Sequence, residues 1–143
     1  MAAAGRAARE AWPHLKQVAA ATDPWAQSLA ADGAFAWAPI CPDDVIYAGQ
    51  AVPTLDARQA ADPYRLQAAV LPASTVAVLA VRDHGVLIAA RDERAWRFAH
   101  EMLYANARAR ALGRTRGQVR SLDAGQAAEV SGMKGEKFRQ GLA

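Results

Sequence analysis

The chain has 143 residues, a length that fits one domain with a modest core, and we expect 1–143 to form a single domain. Hydrophobic residues make up 52% and charged residues 22%, which excludes a disordered chain. The single cysteine, Cys41, excludes an intrachain disulfide and a cysteine zinc site, and we interpret it as buried or inert. No apolar run reaches the roughly 18 residues of a membrane helix. The N-terminus lacks the pattern of a signal peptide, so we expect a cytoplasmic protein without a membrane partner.

The net charge of +3 arises mainly from basic residues in the C-terminal third. Such a run can bind nucleic acid or another polyanion, or it can form a solvated surface. We favour the solvated surface, because no nucleic-acid-binding module accompanies the run. The residues are Arg108, Arg110, Arg114, Arg116, Arg120, Lys134, Lys137 and Arg139.

The first 32 residues predict helix. Residues 2–32 are rich in alanine, the strongest helix former, and Pro13 interrupts the pattern. The sequence Thr22-Asp23-Pro24 predicts a new helix start, because a capping side chain precedes a proline. Gly33 is a plausible end for that helix.

The next segment predicts short extended pieces followed by a broken helix. Residues 39–42 and the run Val45-Ile46-Tyr47 predict extended structure, and residues 51–55 predict a second strand. The two strands together suggest a small hairpin. Residues 57–70 predict a helix that Pro63 shortens or kinks.

The clearest strands lie in residues 75–90. Two apolar runs flank Arg82-Asp83-His84-Gly85, and aspartate and glycine between such runs predict a tight β-hairpin. Strands this apolar require cover on both faces, so we expect helices on both sides of the sheet.

The clearest helix covers residues 92–112. Its apolar side chains follow a helical stripe, and Gly113 is the predicted end. Ser121 or Asp123 is the predicted cap of a short helix that runs through Val130. The order of elements predicts an α/β or α+β fold, a layered helix–sheet–helix arrangement with a small, at least partly antiparallel sheet.

Histidine is the first place to look for chemistry, and the chain has only three. His84 lies at the hairpin turn beside Asp83, where it could ligate a metal or simply bond to the turn backbone. A catalytic zinc site needs about three protein ligands, and no His-x-His or His-Glu-x-x-His pattern is present. We predict a surface position for His14 and a partly exposed helical position for His100.

The adjacent carboxylates Asp43 and Asp44 are a second candidate. Paired carboxylates can bind a cation or perform acid–base work, and they also occur as ordinary turn residues before a strand. We favour the turn interpretation. From these residues alone, the sequence indicates a soluble α/β domain with a possible histidine site.

Three segments in the same order resemble the longer bacterial class II aldolase/adducin proteins, including the rhamnulose-phosphate aldolase-like group. Residues 38–49, with Pro42-Asp43-Asp44-Val45, resemble a family stretch of the form P-D-H-V. Residues 78–88, with Asp83-His84-Gly85, and the helix after them resemble a strand–turn–strand–helix unit. Residues 132–140, with Glu136-Lys137-Phe138-Arg139-Gln140, resemble the family ending E-K-Y-R-Q.

This resemblance implies a helix–sheet–helix fold and zinc-dependent aldol chemistry on sugar phosphates. In the family, histidines hold zinc, and the metal polarises a carbonyl and stabilises an enediolate while an acidic residue moves the proton. The family's His-x-His pair and catalytic acid have no match here, and the resemblance places that region before the first residue. His84 corresponds either to a zinc-ligand histidine or to the equivalent turn of a later, non-catalytic half.

Three functions are therefore open. We rank first a class II aldolase-like C-terminal domain that is inactive alone and forms a homo-oligomer or associates with a catalytic N-terminal part. The second is a metal-dependent lyase that uses His84 with Asp43 or Asp44 and acts on a small sugar phosphate. The third is a polyanion-binding module that uses the arginines of residues 108–120.

Overall fold

The structure is a computed structural model. It describes residues 1–31, 52–70, 75–114 and 120–133, together with residues 39, 41–43, 45 and 117. In this part of the chain, every helix is too short or too polar to span a lipid bilayer.

One mixed sheet and six helices with defined bounds make up the described part. The sheet order is β1-β4-β3-β2, in which β1 and β3 pair antiparallel with β4 and β2 pairs parallel with β3. The strands are β1 (Gln17–Ala21), β2 (Thr54–Leu55), β3 (Val76–Val81) and β4 (Gly85–Ala90). The helices are α1 (Ala2–Ala11), α2 (Pro24–Ala31), α3 (Ala57–Ala60), α4 (Pro63–Ala69), α5 (Glu93–Arg114) and α6 (Ala124–Gly132).

The hairpin of β3 and β4 forms the centre of two cores, one on each face of the sheet. All residues of both strands are buried, and successive side chains point to opposite faces. Leu79 and Leu87 pack on one face with α1, α3 and α4, whereas Val78 and Ile88 pack on the other with α2 and Leu103 of α5. The predicted helix–sheet–helix layering is confirmed, and so is the partly antiparallel sheet.

The hairpin turn is tight and depends on a left-handed backbone. Asp83 has φ 60°, a conformation that aspartate tolerates better than most residues, and Gly85 has φ 114°. A Cβ atom on Gly85 would lie 2.5 Å from the carbonyl oxygen of Ala21. Only glycine therefore lets the start of β4 approach the end of β1 this closely.

The prediction of helix over residues 2–32 is wrong at β1. Residues Gln17–Ala21 form an antiparallel strand along five of the six residues of β4, from Gln17 opposite Ala90 to Ala21 opposite Val86. The helix propensity of alanine is worth only tenths of a kcal/mol per residue, and pairing with a fully buried strand overrides it. The predicted restart is confirmed, because α2 begins at Pro24. Gly33, its predicted end, lies outside the described residues.

The predicted hairpin before residue 56 is wrong in its first strand. Val45 is helical, and its buried side chain packs against Ala127 and Val130 of α6. A helical turn presents Val45 to α6, and Pro42 suits a helical start because its φ is preset. Ile46 and Tyr47 lie outside the described residues.

The second predicted strand and the broken helix are confirmed. Strand β2 falls within residues 51–55, but its partner is β3. Pro63 divides the predicted helix into α3 and α4, and it is the first residue of α4. The Asp62 carboxylate caps α4 by accepting the backbone N–H groups of Tyr64 and Arg65.

Helices α5 and α6 lie close to their predicted positions. Helix α5 continues through the predicted stop at Gly113, and the positive φ appears later, at Gly117 (138°). Of the two candidate caps for α6, Asp123 caps the helix: it accepts the N–H of Gln126, whose side chain accepts the N–H of Asp123 in return.

Candidate functional site

The end of the sheet that carries the hairpin turn is the place where polar and aromatic side chains gather. Gly85 packs against the carbonyl of Ala21, and a Cβ at this glycine would lie 3.6 Å from the Cα of Thr22. The turn that carries His84 therefore lies against the junction of β1 and α2. The same junction carries Asp23, the acidic residue just before α2.

Asp23 contacts a histidine on the long helix. Its Oδ2 atom lies 3.2 Å from Nε2 of His100, and the two side chains are 52% and 28% exposed. A carboxylate that bonds to an imidazole nitrogen fixes the orientation of the ring.

Two tryptophans hold the ring of His100. Trp96 stacks on it with centroids 5.0 Å apart and an interplanar angle of 18°, and Trp25 meets it edge to face at 5.1 Å and 73°. Tyr104 extends the cluster through an edge contact with Trp25 at 6.0 Å. The imidazole is therefore packed between α2 and α5 and cannot swing freely.

The spacing of the helix explains this arrangement. Trp96, His100 and Tyr104 recur every four residues of α5, so they lie on one face of the helix. Trp25, the second residue of α2, reaches the same face. The indole N–H of Trp96 lies 3.4 Å from the carbonyl oxygen of Ala19, which links the cluster to β1. We refer to Trp25, Trp96, His100, Tyr104 and Asp23 together as the Trp25–His100 cluster.

The sequence did not predict this cluster. His100 is partly exposed on a helix, as expected, but its contacts with Trp25 and Asp23 join residues far apart in sequence. The sequence feature that could have indicated the cluster is the regular spacing of aromatic rings in α5, because this spacing places the rings on one continuous face of the helix.

The other predicted site residues are dispersed. His84 is exposed, and its backbone N–H donates to the carbonyl of Val81 at 2.9 Å, as in a turn. His14 is exposed, as predicted. Asp43 is exposed in a helical segment, contrary to the turn interpretation, and Asp44 lies outside the described residues. Cys41 is half-buried.

The described residues do not fit a zinc centre. No three of their histidine, cysteine, aspartate and glutamate side chains are arranged to hold a metal ion. A catalytic zinc needs about three protein ligands, and His84 supplies one at most. The described side chains therefore supply no complete zinc site.

The arginine-rich segment is partly structural. Nε of Arg110 donates to the side-chain oxygen of Asn106 at 2.7 Å, and its Nη2 donates to the hydroxyl of Ser121 at 3.1 Å. This guanidinium fastens the segment before α6 to α5. Arg108 and Arg120 are exposed. The other basic side chains of the predicted run (Arg114, Arg116, Lys134, Lys137 and Arg139) lie outside the described part.

One carboxyl group in the described part has a clearly shifted pKa. The backbone N–H of Ala95 donates to Asp92 at 2.9 Å, and this bond, together with the Arg91 guanidinium at 2.9 Å, lowers the pKa of that carboxyl. Asp92 precedes α5 and accepts one of the N–H groups that the first helical turn leaves unsatisfied. The cause is helix capping, so the shift does not indicate a catalytic group.

Comparison with known proteins supports the fold. No protein-family model matches the sequence, and no curated protein matches it. Among solved structures, the chain is similar to YgbL from Escherichia coli, a proposed aldolase/epimerase/decarboxylase, with a TM-score of 0.67 and 20% sequence identity. The match covers 91% of this chain but only 64% of YgbL. The protein shares the fold of YgbL and spans just under two thirds of the length of that protein.

Proposed function

We propose that this chain is a supporting domain of class II aldolase-like fold that does not catalyse alone. It serves a zinc-dependent sugar-phosphate aldolase or lyase whose metal ligands lie in another segment or another chain. As the resemblance suggests, it corresponds to the C-terminal part of such a protein. Its partners are further copies of itself or a catalytic N-terminal part.

The observation that carries this proposal is the placement of the three histidines. His14 is exposed after α1, His84 is exposed at the hairpin turn, and His100 is packed between two indoles and bonded to Asp23. The three imidazole rings therefore lie in different parts of the molecule. The shared fold with YgbL, whose proposed activities include aldol cleavage, supports the reaction class.

The test is elemental analysis of the purified, tag-free chain after exposure to zinc and dialysis, combined with an aldol-cleavage assay on sugar phosphates. We expect less than stoichiometric zinc and no cleavage by the chain alone. His84→Ala is the matched variant, and His14→Ala is the control for loss of an exposed histidine. Strong cleavage by the unmodified chain would overturn the proposal.

A second candidate is a metal-dependent lyase that uses His84. The packing of the hairpin turn against the junction of β1 and α2 favours it, because this contact brings His84 and the Asp23 segment to the same end of the sheet. This function predicts about one zinc per chain, lost in both His84→Ala and Asp23→Asn and retained in His14→Ala. Equal zinc content in all four proteins would exclude it.

A polyanion-binding module is a weaker third candidate. The inward bonds of Arg110 reduce the basic surface that such a module needs. Salt-sensitive binding to nucleic acid at low ionic strength would support the polyanion-binding function.

A further inference from the structure

Strand β1 forms one edge of the sheet. It pairs with β4 along all five of its residues, and no strand of the described residues pairs with its other side. The opposite edge, β2, has only two residues. Strand β1 is therefore the longer of the two edge strands in the described part of the sheet.

This edge lacks the usual devices that block strand addition. Native edge strands carry charges, prolines or bulges, or they are very short. The five residues of β1, Gln17–Ala21, include no charge and no proline, and their register with β4 runs without a bulge. The first four are only half-buried.

A side chain protects the outward backbone of β1 only weakly. Nη2 of Arg9 lies 3.3 Å from the carbonyl oxygen of Val18. This distance is at the long end for hydrogen bonds. A backbone N–H group of an incoming strand would bond more strongly than this contact.

We propose that β1 pairs antiparallel with β1 of a second copy of this chain. The two-fold axis is perpendicular to the sheet and passes midway between Ala19 of the two copies, so Ala19 lies opposite its own equivalent and Gln17 lies opposite Ala21. Alternate residues of an edge strand direct their N–H and C=O groups outward. In this register, odd-numbered residues lie opposite odd-numbered residues, and even-numbered residues lie opposite even-numbered ones. The outward N–H and C=O groups of one copy therefore face those of the other.

The charges beside β1 complement each other in this arrangement. Lys16 precedes the strand and is exposed, whereas Asp23 follows it and is half-exposed. The antiparallel register places Lys16 of each copy beside the Thr22-Asp23 segment of the other, so opposite charges lie near each other at both ends of the new pair. Parallel pairing would instead bring like charges together, Lys16 with Lys16 and Asp23 with Asp23.

The small side chains of β1 suit this pairing. On one face, Val18 and Ala20 lie beside α1, and on the other Ala21 lies with α2 and α5. Because the two-fold axis is perpendicular to the sheet, side chains of the same face meet across the new pair. The two sheets then form one continuous sheet with helices on both faces.

Disulfide capture tests the contact directly. In a Cys41→Ser background, Ala19→Cys places two thiols on directly opposed residues, whose Cα atoms lie about 4.5–5.5 Å apart in antiparallel pairs. This separation is within the range that disulfides span. We expect Ala19→Cys to form a covalent dimer under mild oxidation, and the control Ala105→Cys, at an exposed position of α5, to stay monomeric. Equal cross-linking of the two variants would overturn the proposal.

The charges provide a test that does not alter β1. By sedimentation equilibrium on the full chain, we expect Lys16→Glu to raise the dimer dissociation constant about fivefold, if each of the two contacts contributes about 0.5 kcal/mol. The double variant Lys16→Glu/Asp23→Lys should restore dimerisation. A chain that is monomeric up to millimolar concentration, or a dimer that neither variant affects, would show that β1 does not pair with itself. These measurements are independent of zinc content and activity, so they stand apart from the proposed function.

Discussion

Strands β3 and β1 both pair antiparallel with β4, but different forces make them strands. Strand β3 consists of three valines, two alanines and a leucine, and every one of its residues is buried. Strand β1 is mostly alanine, and four of its five residues are half-buried. The comparison teaches that a large apolar strand carries its own signal, whereas a strand of small residues depends on its neighbours.

The largest effect should come from the core that β3 builds. Leu79 is fully buried opposite Leu87, and Leu79→Ala leaves a cavity between the sheet and α1, α3 and α4. We expect a loss of about 3 kcal/mol in the free energy of unfolding, measured by urea denaturation. Leu112→Ala, at a leucine that is 58% exposed, should change it by less than about 0.5 kcal/mol. Similar losses in both would contradict this account of the core.

A smaller effect should come from the contact that joins the hairpin to β1. Gly85→Ala adds a Cβ 2.5 Å from the Ala21 carbonyl oxygen and strains a positive φ, so the end of β1 must shift. We expect a loss of about 2 kcal/mol, with faster hydrogen exchange in β1 than in β3. The control is Gly132→Ala, at a glycine with open space around its Cβ position. A stability unchanged by Gly85→Ala would show that the approach of β4 to β1 is not tight.

The Trp25–His100 cluster should contribute less again. His100→Ala removes the stack on Trp96, the edge contact with Trp25 and the bond to Asp23. We expect a loss of about 1 kcal/mol and a red shift of tryptophan fluorescence, because the indoles become more exposed. His14→Ala removes an exposed histidine and should change neither quantity.

The smallest effect concerns charge at the start of α5. The pKa of Asp92 is lowered in the folded state, so its charge stabilises the fold above the pKa of the unfolded chain, near 3.8. This contribution is lost as the pH falls from that value through the lower folded-state pKa. Asp92→Asn keeps a capping side chain without the charge, and we expect its stability relative to the wild type to rise over this acidic window. Parallel stability curves below pH 5 would contradict the assignment.

The elements that the sequence predicted well have strong local signals. The hairpin, α5 and the cap of α6 follow from apolar runs, helical spacing and a capping side chain. The errors at β1 and Val45 share one cause: each element gains its stability from a distant partner, β4 for the strand and α6 for Val45.

The sequence by itself determined the layers, the central hairpin and the position of His84 at its turn, because these depend on residues close together in the chain. Only the tertiary structure decided that alanines form β1 and that Asp23 meets His100 between two tryptophans. Those contacts join residues more than 60 positions apart. Their stability arises from packing across the sheet and between helices, and local propensity cannot encode it.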